Sequence, residues 1–332
     1  MEAIQNWYAC LEEFRSFGGS AENVIQRQGS FGLGLFPVDP SKTVTLNVPE
    51  HLLVPADLVD LKNGAAVIVD ASRFPPGYAD WFNRYQANYS WGAEGENSVA
   101  RFETGLQKLP EAVLSQMEAQ KLYSRTKRLP DADEQRSLLR RFLMSRCLKR
   151  QGQLMVMPLV ELVNHSATAE NWSIRADGGV GIHGHYEGEI LVKYSNSDPL
   201  QRLLRFGFNS HEPMAFSLSV QLPHRGLSVT VQGGGGRNWC DPPALELHDE
   251  HLVIRELLLG HQLMPQLPKT LLLQAAASIQ PVNGEELFQQ IQLVNRLALI
   301  ALLRQLDGVG GVTAAQLRRG CLDQFQALSQ HI

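Results

Sequence analysis

The chain contains little cysteine. Its 332 residues include only four cysteines, which lie far apart and never form a Cys-x-x-Cys pair: Cys10, Cys147, Cys240 and Cys321. Such wide spacing argues against a disulfide framework and against a cysteine zinc cluster. We therefore expect no metal site built on cysteine, and we interpret these residues as small hydrophobic side chains.

The chain also lacks a large excess of one charge. Its 30 lysines and arginines are balanced by 34 aspartates and glutamates, which gives a net charge of −4. A nucleic-acid-binding protein would carry a basic stripe, so we expect no nucleic acid partner.

Long apolar runs are missing as well. The longest, such as 297–303, are too short to span a bilayer. The N-terminal sequence MEAIQNWYACLEEF has no basic start followed by an apolar core, so we expect no signal peptide. The expectation is a cytoplasmic protein without a membrane partner.

Three common types of active site are not supported. No Gly-x-Ser-x-Gly motif for a serine hydrolase occurs. The run Gly233–Gly236 follows a strand-like segment, but the prolines of the following RNWCDPP oppose the helix that a dinucleotide-binding turn requires. His183 with His185, and His248 with His251, could each share a face. Neither pair has an evident third ligand, so no metal is predicted.

Hydrophobic periodicity in the first half predicts strands followed by a helical block. Helices are predicted at Glu2–Phe17, Val99–Leu106, Pro110–Tyr123 and Asp133–Leu148. Strands are predicted at Gly32–Phe36 and Thr43–Val48, with Asp39–Ser41 as the turn. The apolar run Leu154–Val163 fits either a buried strand or a short helix.

The second half repeats strands and ends in helices. Predicted strands are Val180–His185 and Glu189–Tyr194, with a turn signal at Glu187-Gly188, then a hairpin of Phe216–Leu222 and Leu227–Gln232. A short helix is predicted at Leu200–Phe206. A second helix is predicted to begin at the cap Asn283, with Glu286 three residues on, and to end at Asp307-Gly308. Thr313 with Gln316 gives the same start signal for a last helix. Because strands and helices do not alternate regularly, we predict an α+β fold.

Three segments carry groups suited to chemistry. Gly32–Gly34 allows a ligand to approach the main chain closely. Asn164-His165 follows a buried run, where two polar side chains need hydrogen-bond partners, and Tyr194 ends a predicted strand. Each segment alone also fits an ordinary role, namely a strand bend, a satisfied polar pair or a strand-end tyrosine.

In this order and spacing, the segments resemble the SET-domain methyltransferases. The nearest branch has a split SET domain, as in the Rubisco large-subunit lysine methyltransferases. The matching stretches are GLGLFPVDPSKTVTLNVP, Ser145-Arg146 at the end of a helical insertion, LMVMPLVELVNHS and GEILVKYSNSDPLQRLLRFGF. The resemblance covers about residues 20–210. It implies a β-rich SET domain at 1–212 with a helical insertion at about 80–150, and a mostly helical C-terminal domain at 213–332 for substrate binding.

The resemblance implies S-adenosylmethionine as the cofactor and a protein as the substrate. It assigns cofactor binding to the main chain of Gly32, Leu33 and Gly34, to Arg146, and to Asn164 and His165 in a knot-like crossing. It assigns catalysis to Tyr194, at the channel that joins the two substrates. The implied activity is methylation of a lysine nitrogen on a non-histone protein.

Three positions depart from the family pattern. Phe206 stands where the family usually has a tyrosine, at a position that the resemblance assigns to the substrate pocket. Glu161 stands near the position where aspartate is frequent, and Asp198-Pro199 stands where the branch often has asparagine and a further polar residue. These changes leave two alternatives open: a catalytically weak SET-fold module for binding or assembly, and a protein histidine methyltransferase.

Overall fold

The computed structural model describes residues 2–90, 98–123, 134–235 and 238–329. Parts of the predicted insertion, 91–97 and 124–133, and the last glycine of the 233–236 run therefore lie outside the described residues. The chain divides into two units. Unit 1 comprises Met1–Asn97 and Pro130–Tyr194, and unit 2 comprises Ser98–Leu129 and Ser195–Ile332. The domain boundary expected at residue 212 stays a prediction.

Unit 1 combines short strands with three helices among its described residues. The helices are α1 (Glu2–Ser16), α2 (Tyr78–Tyr89) and α5 (Glu134–Arg146). The strands before α5 are β1 (Ser20–Glu22), β2 (Val24–Gly29), β3 (Gly32–Pro37), β4 (Val44–Val48), β5 (Val54–Pro55), β6 (Val59–Lys62) and β7 (Ala65–Ile68). Those after it are β8 (Cys147–Arg150), β9 (Gln153–Val156), β10 (Asn164–His165), β11 (Ser173–Ile174), β12 (Val180–Gly184) and β13 (Leu191–Val192).

Stacked aromatic rings join α1 to α2 in the core of unit 1. Trp81 stacks on Tyr85 with ring centroids 5.3 Å apart, and on Phe14 at 5.2 Å. The Trp81 indole nitrogen donates to the carbonyl of Cys10 at 2.9 Å, so its polar atom is satisfied although the ring is buried. This packing gives α2 a fixed position, which matters because α2 supports the candidate site.

Pairing in unit 1 differs from the sequence prediction. The predicted strands at 32–36 and 43–48 exist, but they do not pair with each other: β3 pairs with β2, and β4 lies between β1 and β12. β3 pairs instead with the strand that directly precedes it, across the two-residue connection Ser30-Phe31. The Asn23 side chain binds the main chain of Asp39 and Lys42 in the connection to β4.

The segments on either side of Glu187-Gly188 also join different sheets. β12 pairs with β4 and β11, whereas β13 forms a parallel pair with β10. The predicted strand Glu189–Tyr194 is reduced to Leu191–Val192, because its pairing partner β10 is only two residues long. The parallel register sets Asn164 beside Leu191 and His165 beside Val192.

Unit 2 contains six helices and six strands among its described residues. The helices are α3 (Ser98–Gln107), α4 (Glu111–Ala119), α6 (Pro199–Phe206), α7 (Leu267–Ala276), α8 (Gly284–Leu306) and α9 (Val312–Ser329). The strands are β14 (Met214–Phe216), β15 (Val220–His224), β16 (Leu227–Gln232), β17 (Ala244–His248), β18 (His251–Arg255) and β19 (Leu258–His261). Together with unit 1, this confirms the predicted α+β class.

The core of unit 2 forms where helices cover a four-stranded sheet of order β15-β16-β18-β17. Val229 and Val231 from β16 and Leu252 and Ile254 from β18 are fully buried, because alternate residues of a strand face the same side. The predicted hairpin begins at Val220, later than expected, since Phe216 belongs to β14 and pairs with Leu258 of β19.

Helix ends follow the sequence signals in two cases and depart in one. The Asn283 side chain accepts from the Glu286 amide at 3.1 Å, as predicted, and α8 ends at Leu306. The prediction that Thr313 caps the last helix was wrong. α9 already begins at Val312, and Thr313 is buried against Gly105 of α3.

The apolar run at 154–163 contains both alternatives that its pattern allowed. Its start belongs to β9, and Val160–Leu162 form a 3₁₀ turn that leads into β10.

Among the described residues, no helix combines the length and apolarity that crossing a membrane requires.

Candidate active site

The β2–β3 hairpin supplies the glycine-rich part of the site. Gly29 pairs with Gly32, which has a φ of +102°, a conformation that favours glycine. Gly34 has no room for a side chain. A Cβ there would lie 2.7 Å from the Asn164 amide nitrogen and would overlap the Glu189 carboxylate. The glycine therefore lets two polar side chains contact the strand main chain directly.

Asn164 connects this hairpin to the β10–β13 pair. Its side-chain nitrogen donates to the Leu33 carbonyl at 3.1 Å, across 131 positions of sequence, and to Glu189 Oε1 at 2.6 Å. Next to Glu189, the Ile190 amide donates to the Leu35 carbonyl at 2.8 Å. These contacts hold the Gly32–Gly34 main chain, Asn164 and Glu189 in one cluster.

His165 joins the same cluster to Tyr194. The imidazole is 5% exposed, and its Nδ1 accepts from the Tyr194 amide at 3.2 Å. The two rings are 5.1 Å apart. Because Nδ1 accepts this hydrogen bond, the neutral ring carries its proton on Nε2.

Tyr194 is held at both ends. Its hydroxyl donates to the Val163 carbonyl at 2.7 Å, and the ring of Trp172 lies 6.0 Å from its ring. The neighbouring Lys193 amide donates to the Glu170 carbonyl at 2.9 Å. The half-buried phenol is therefore oriented by main-chain contacts, and its oxygen faces the carbonyl that precedes Asn164.

A buried carboxylate lies three residues before Asn164. Glu161 Oε1 accepts from Tyr85 and Ser90, each at 2.9 Å, and from Gln86 at 2.5 Å. No residue in the described part of the chain donates a hydrogen bond to Oε2. Burial raises the pKa of this carboxyl above its usual value, although Arg146 and the three donors act in the opposite direction. The arrangement ties the approach to β10 to helix α2.

The main chain is strained at Leu159, two residues before Glu161. Leu159 has φ +66° and ψ −46°, and the Val160 amide donates to the Pro158 carbonyl at 2.8 Å, which makes a tight turn of a rare type. The Leu159 amide donates to the Tyr85 hydroxyl at 2.9 Å. Tyr85 thus links the strained turn to Glu161, and such strain persists only where the surroundings enforce it.

Arg146 lies at the C-terminal end of α5 and is half-buried. Its guanidinium donates to the main-chain carbonyl of Glu161 at 3.3 Å. Four of the predicted segments, namely Gly32–Gly34, Arg146, Asn164-His165 and Tyr194, are therefore linked within unit 1 by direct contacts or through the 161–165 segment.

Phe206 belongs to unit 2, where it is the last residue of α6 and 5% exposed. The guanidinium carbons of Arg202 and Arg205 lie over its ring at 5.0 and 5.2 Å. The predicted role of Phe206 in a substrate pocket stays a prediction.

Sequence reasoning missed Glu189 as a site residue. Its signal was the Gly-Glu pair at the start of the segment that ends in Tyr194, but nothing in the pattern showed that its carboxylate reaches across to Gly34. The partners of Glu161 were missed for the same reason, because Tyr85, Gln86 and Ser90 lie 71–76 positions away in sequence.

The first histidine pair considered as metal ligands, His183 with His185, has other contacts. His183 and His185 bind the hydroxyls of Thr45 and Thr43. Within the described ranges, no group of three or more histidine, cysteine, aspartate or glutamate side chains is arranged to hold a metal ion. Cys10 and Cys321 are buried, which raises the pKa of each thiol to about 12.

No protein-family model matches the chain, and no curated protein matches it. Its fold is similar to solved structures of the SET domain of LSMT bound to lysine and AdoHcy (14% identity, TM-score 0.47) and of Rubisco LSMT bound to AdoMet (15%, 0.46). It is also similar to Rubisco LSMT bound to sinefungin and monomethyllysine (14%, 0.45). Each similarity covers 99% of this chain and 90% of the other. At this level of identity, the function of the chain rests on its own residues.

Proposed function

We propose that the chain is an S-adenosylmethionine-dependent protein N-methyltransferase of the SET type, acting on a lysine of a non-histone protein. The observation that carries the proposal is the convergence of three distant segments in unit 1. Asn164 binds the main chain at Leu33, and Tyr194 binds both His165 and the carbonyl of Val163. Segments that are over 130 positions apart in sequence thus form one polar cluster.

The space at Gly34 is a second observation that fits the cofactor. Gly34 lacks the Cβ that would displace Asn164 and Glu189, so main-chain and side-chain polar groups meet without an intervening side chain. This cradle suits the polar amino-acid end of S-adenosylmethionine. Gly32, Leu33 and Gly34 would bind it with main-chain groups, Asn164 and His165 would border it, and Arg146 would contribute from the end of α5.

The cofactor, when bound, supplies a methyl group that is activated by a positive sulfonium. The chain must hold the acceptor nitrogen in line with the carbon–sulfur bond, and such positioning supplies most of the rate. Tyr194 is suited to this task because its hydroxyl proton points to the Val163 carbonyl. Its oxygen can then only accept a hydrogen bond, and an amine N–H is the matching donor.

The amine must lose a proton before it attacks. A protonated lysine next to a positive sulfonium and away from water has a lowered pKa, so the proton is released to solvent without a strong base. The role assigned to Tyr194 is therefore orientation of the amine.

The experiment is transfer of a radiolabelled methyl group from S-adenosylmethionine to proteins in a lysate of the same source. Asn164→Ala runs beside the wild type, and calorimetry measures cofactor binding. A labelled band that disappears with Asn164→Ala supports the proposal, and mass spectrometry of that band tests lysine against histidine. Cofactor binding without label in any lysate would instead support a binding module. A wild-type protein that does not bind the cofactor would refute the proposal.

A further inference from the structure

The carboxylate of Glu189 lies across the β2–β3 hairpin, between two glycines. Its Oε2 is 2.5 Å from the place where a Cβ on Gly29 would be, and its Oε1 occupies the equivalent place at Gly34. Any larger residue at either position would push this carboxylate away. The hairpin is thus shaped to hold a negative charge against its main chain.

No cationic side chain among residues 2–90, 98–123, 134–235 and 238–329 forms an ion pair with Glu189. Its carboxylate accepts a hydrogen bond from the neutral amide of Asn164. Arg27, which is paired with Gly34 across the hairpin, directs its guanidinium over the Phe36 ring at 4.5 Å instead. A half-buried carboxylate without a cation is costly, and it binds a cationic ligand favourably.

A second acceptor lies beside it. The Leu33 carbonyl and Glu189 Oε1 converge on the same Asn164 nitrogen, at 3.1 and 2.6 Å. One is a full negative charge and the other the negative end of a dipole. An ammonium group has three N–H donors, so it can bind two such acceptors together.

We propose that Glu189, together with the Leu33 carbonyl, binds the α-ammonium group of the cofactor's methionine moiety. This inference rests on the proposed function, because it identifies the counter-ion for that cofactor within the same cluster. It makes Glu189 a cofactor-binding residue that distinguishes amino-acid-bearing adenosyl ligands from those without the amino group.

The test compares two ligands by calorimetry: S-adenosylhomocysteine and its des-amino analogue, which keeps the sulfur, the adenosine and the carboxylate. The wild type should prefer S-adenosylhomocysteine. Glu189→Gln should weaken the affinity for S-adenosylhomocysteine about tenfold to a hundredfold, as expected for loss of a charge-assisted hydrogen bond. The affinity for the des-amino analogue should stay nearly unchanged, so the variant should no longer prefer S-adenosylhomocysteine.

Glu187→Gln is the matched control, since the same change two residues earlier falls on an exposed side chain. It should keep the wild-type preference. If Glu189→Gln weakens both ligands equally, or keeps the preference, Glu189 does not bind the ammonium and the inference is wrong. If the wild type binds neither S-adenosylhomocysteine nor S-adenosylmethionine, the proposed function itself fails.

Discussion

The hydroxyl of Tyr194 donates a 2.7 Å hydrogen bond to the main-chain carbonyl of Val163, 31 positions earlier in the chain. Val163 immediately precedes Asn164, whose side chain binds the β2–β3 hairpin. The phenol and the amide are therefore held by adjacent residues of one segment. A displacement of that segment would move both together, which couples the group proposed for orientation to the group proposed for cofactor binding.

Tyr194→Phe should lower methyl transfer by about a hundredfold or more, because it removes the oxygen that orients the acceptor amine. Cofactor affinity should remain at the wild-type level, since the amide of residue 194 still donates to His165. Steady-state kinetics and calorimetry measure the two effects separately.

The matched control for this change is Tyr78→Phe. Tyr78 is buried, and its hydroxyl also donates to a main-chain carbonyl, that of Leu52. Each variant should lose about 1 kcal/mol of stability for one lost hydrogen bond, but only Tyr194→Phe should lose activity. Equal activity in the two variants would show that the Tyr194 hydroxyl does not orient the acceptor amine.

Gly34→Ala should reduce cofactor affinity more than tenfold. The added Cβ meets Asn164 and Glu189, so one or both must move off the hairpin. Overpacking of this kind typically costs about 1–3 kcal/mol. Calorimetry with S-adenosylhomocysteine and thermal unfolding would measure both effects.

Gly188→Ala tests whether this effect is local. Gly188 precedes Glu189 directly, and a Cβ there meets nothing within 4 Å. Affinity and stability should stay close to the wild type. A loss of affinity as large as that of Gly34→Ala would show that the loop, and not the space at Gly34, limits binding.

Asp198 should make the stability of unit 2 depend on pH. Burial raises its carboxyl pKa from 3.8 to about 6, although its bond from the Gln201 amide opposes the shift. The folded state thus holds this proton more tightly than the unfolded state, and the resulting stability is present below pH 3.8. It is lost as the pH rises through about 6, by about 3 kcal/mol in total.

Asp198→Asn keeps an oxygen to cap α6 but cannot ionise. Its unfolding free energy should therefore match the wild type near pH 4 and exceed it at pH 7, as measured by denaturant titration. Asp70→Asn is the comparison, because hydrogen bonds from Ser72 lower the pKa of that exposed N-terminal cap. The unfolding free energy of Asp70→Asn should not exceed that of the wild type at neutral pH. A pH-independent difference between Asp198→Asn and the wild type would contradict the assignment.

Glu212→Gln should destabilise unit 2 by about 3–5 kcal/mol, because it removes the negative charge that pairs at 2.7 Å with the fully buried guanidinium of Arg202. The comparison is Glu286→Gln. Its partner Arg225 lies at 2.8 Å, close to the 2.7 Å of the buried pair, but both side chains are about half exposed. That change should cost less than about 1 kcal/mol. Equal losses in the two variants, measured by denaturant titration, would show that burial does not decide the strength of these pairs.

Local signals were enough to predict many elements and the class of the fold. The cap at Asn283 is a property of a few neighbouring residues, and α8 begins where it predicts. Strand pairing was not predicted in the same way. β3 pairs with β2, to which it is joined by two residues, and not with β4, which pairs with β1 and β12.

The sequence by itself determined which groups were available: Gly32–Gly34, Arg146, Asn164-His165 and Tyr194, in the order that resembles a SET domain. Only the tertiary structure decided that Glu189 reaches Gly34 and that Glu161 is turned toward α2. These contacts join residues that are 71 to more than 150 positions apart. Such contacts form through packing of whole elements, and no local propensity or spacing encodes them.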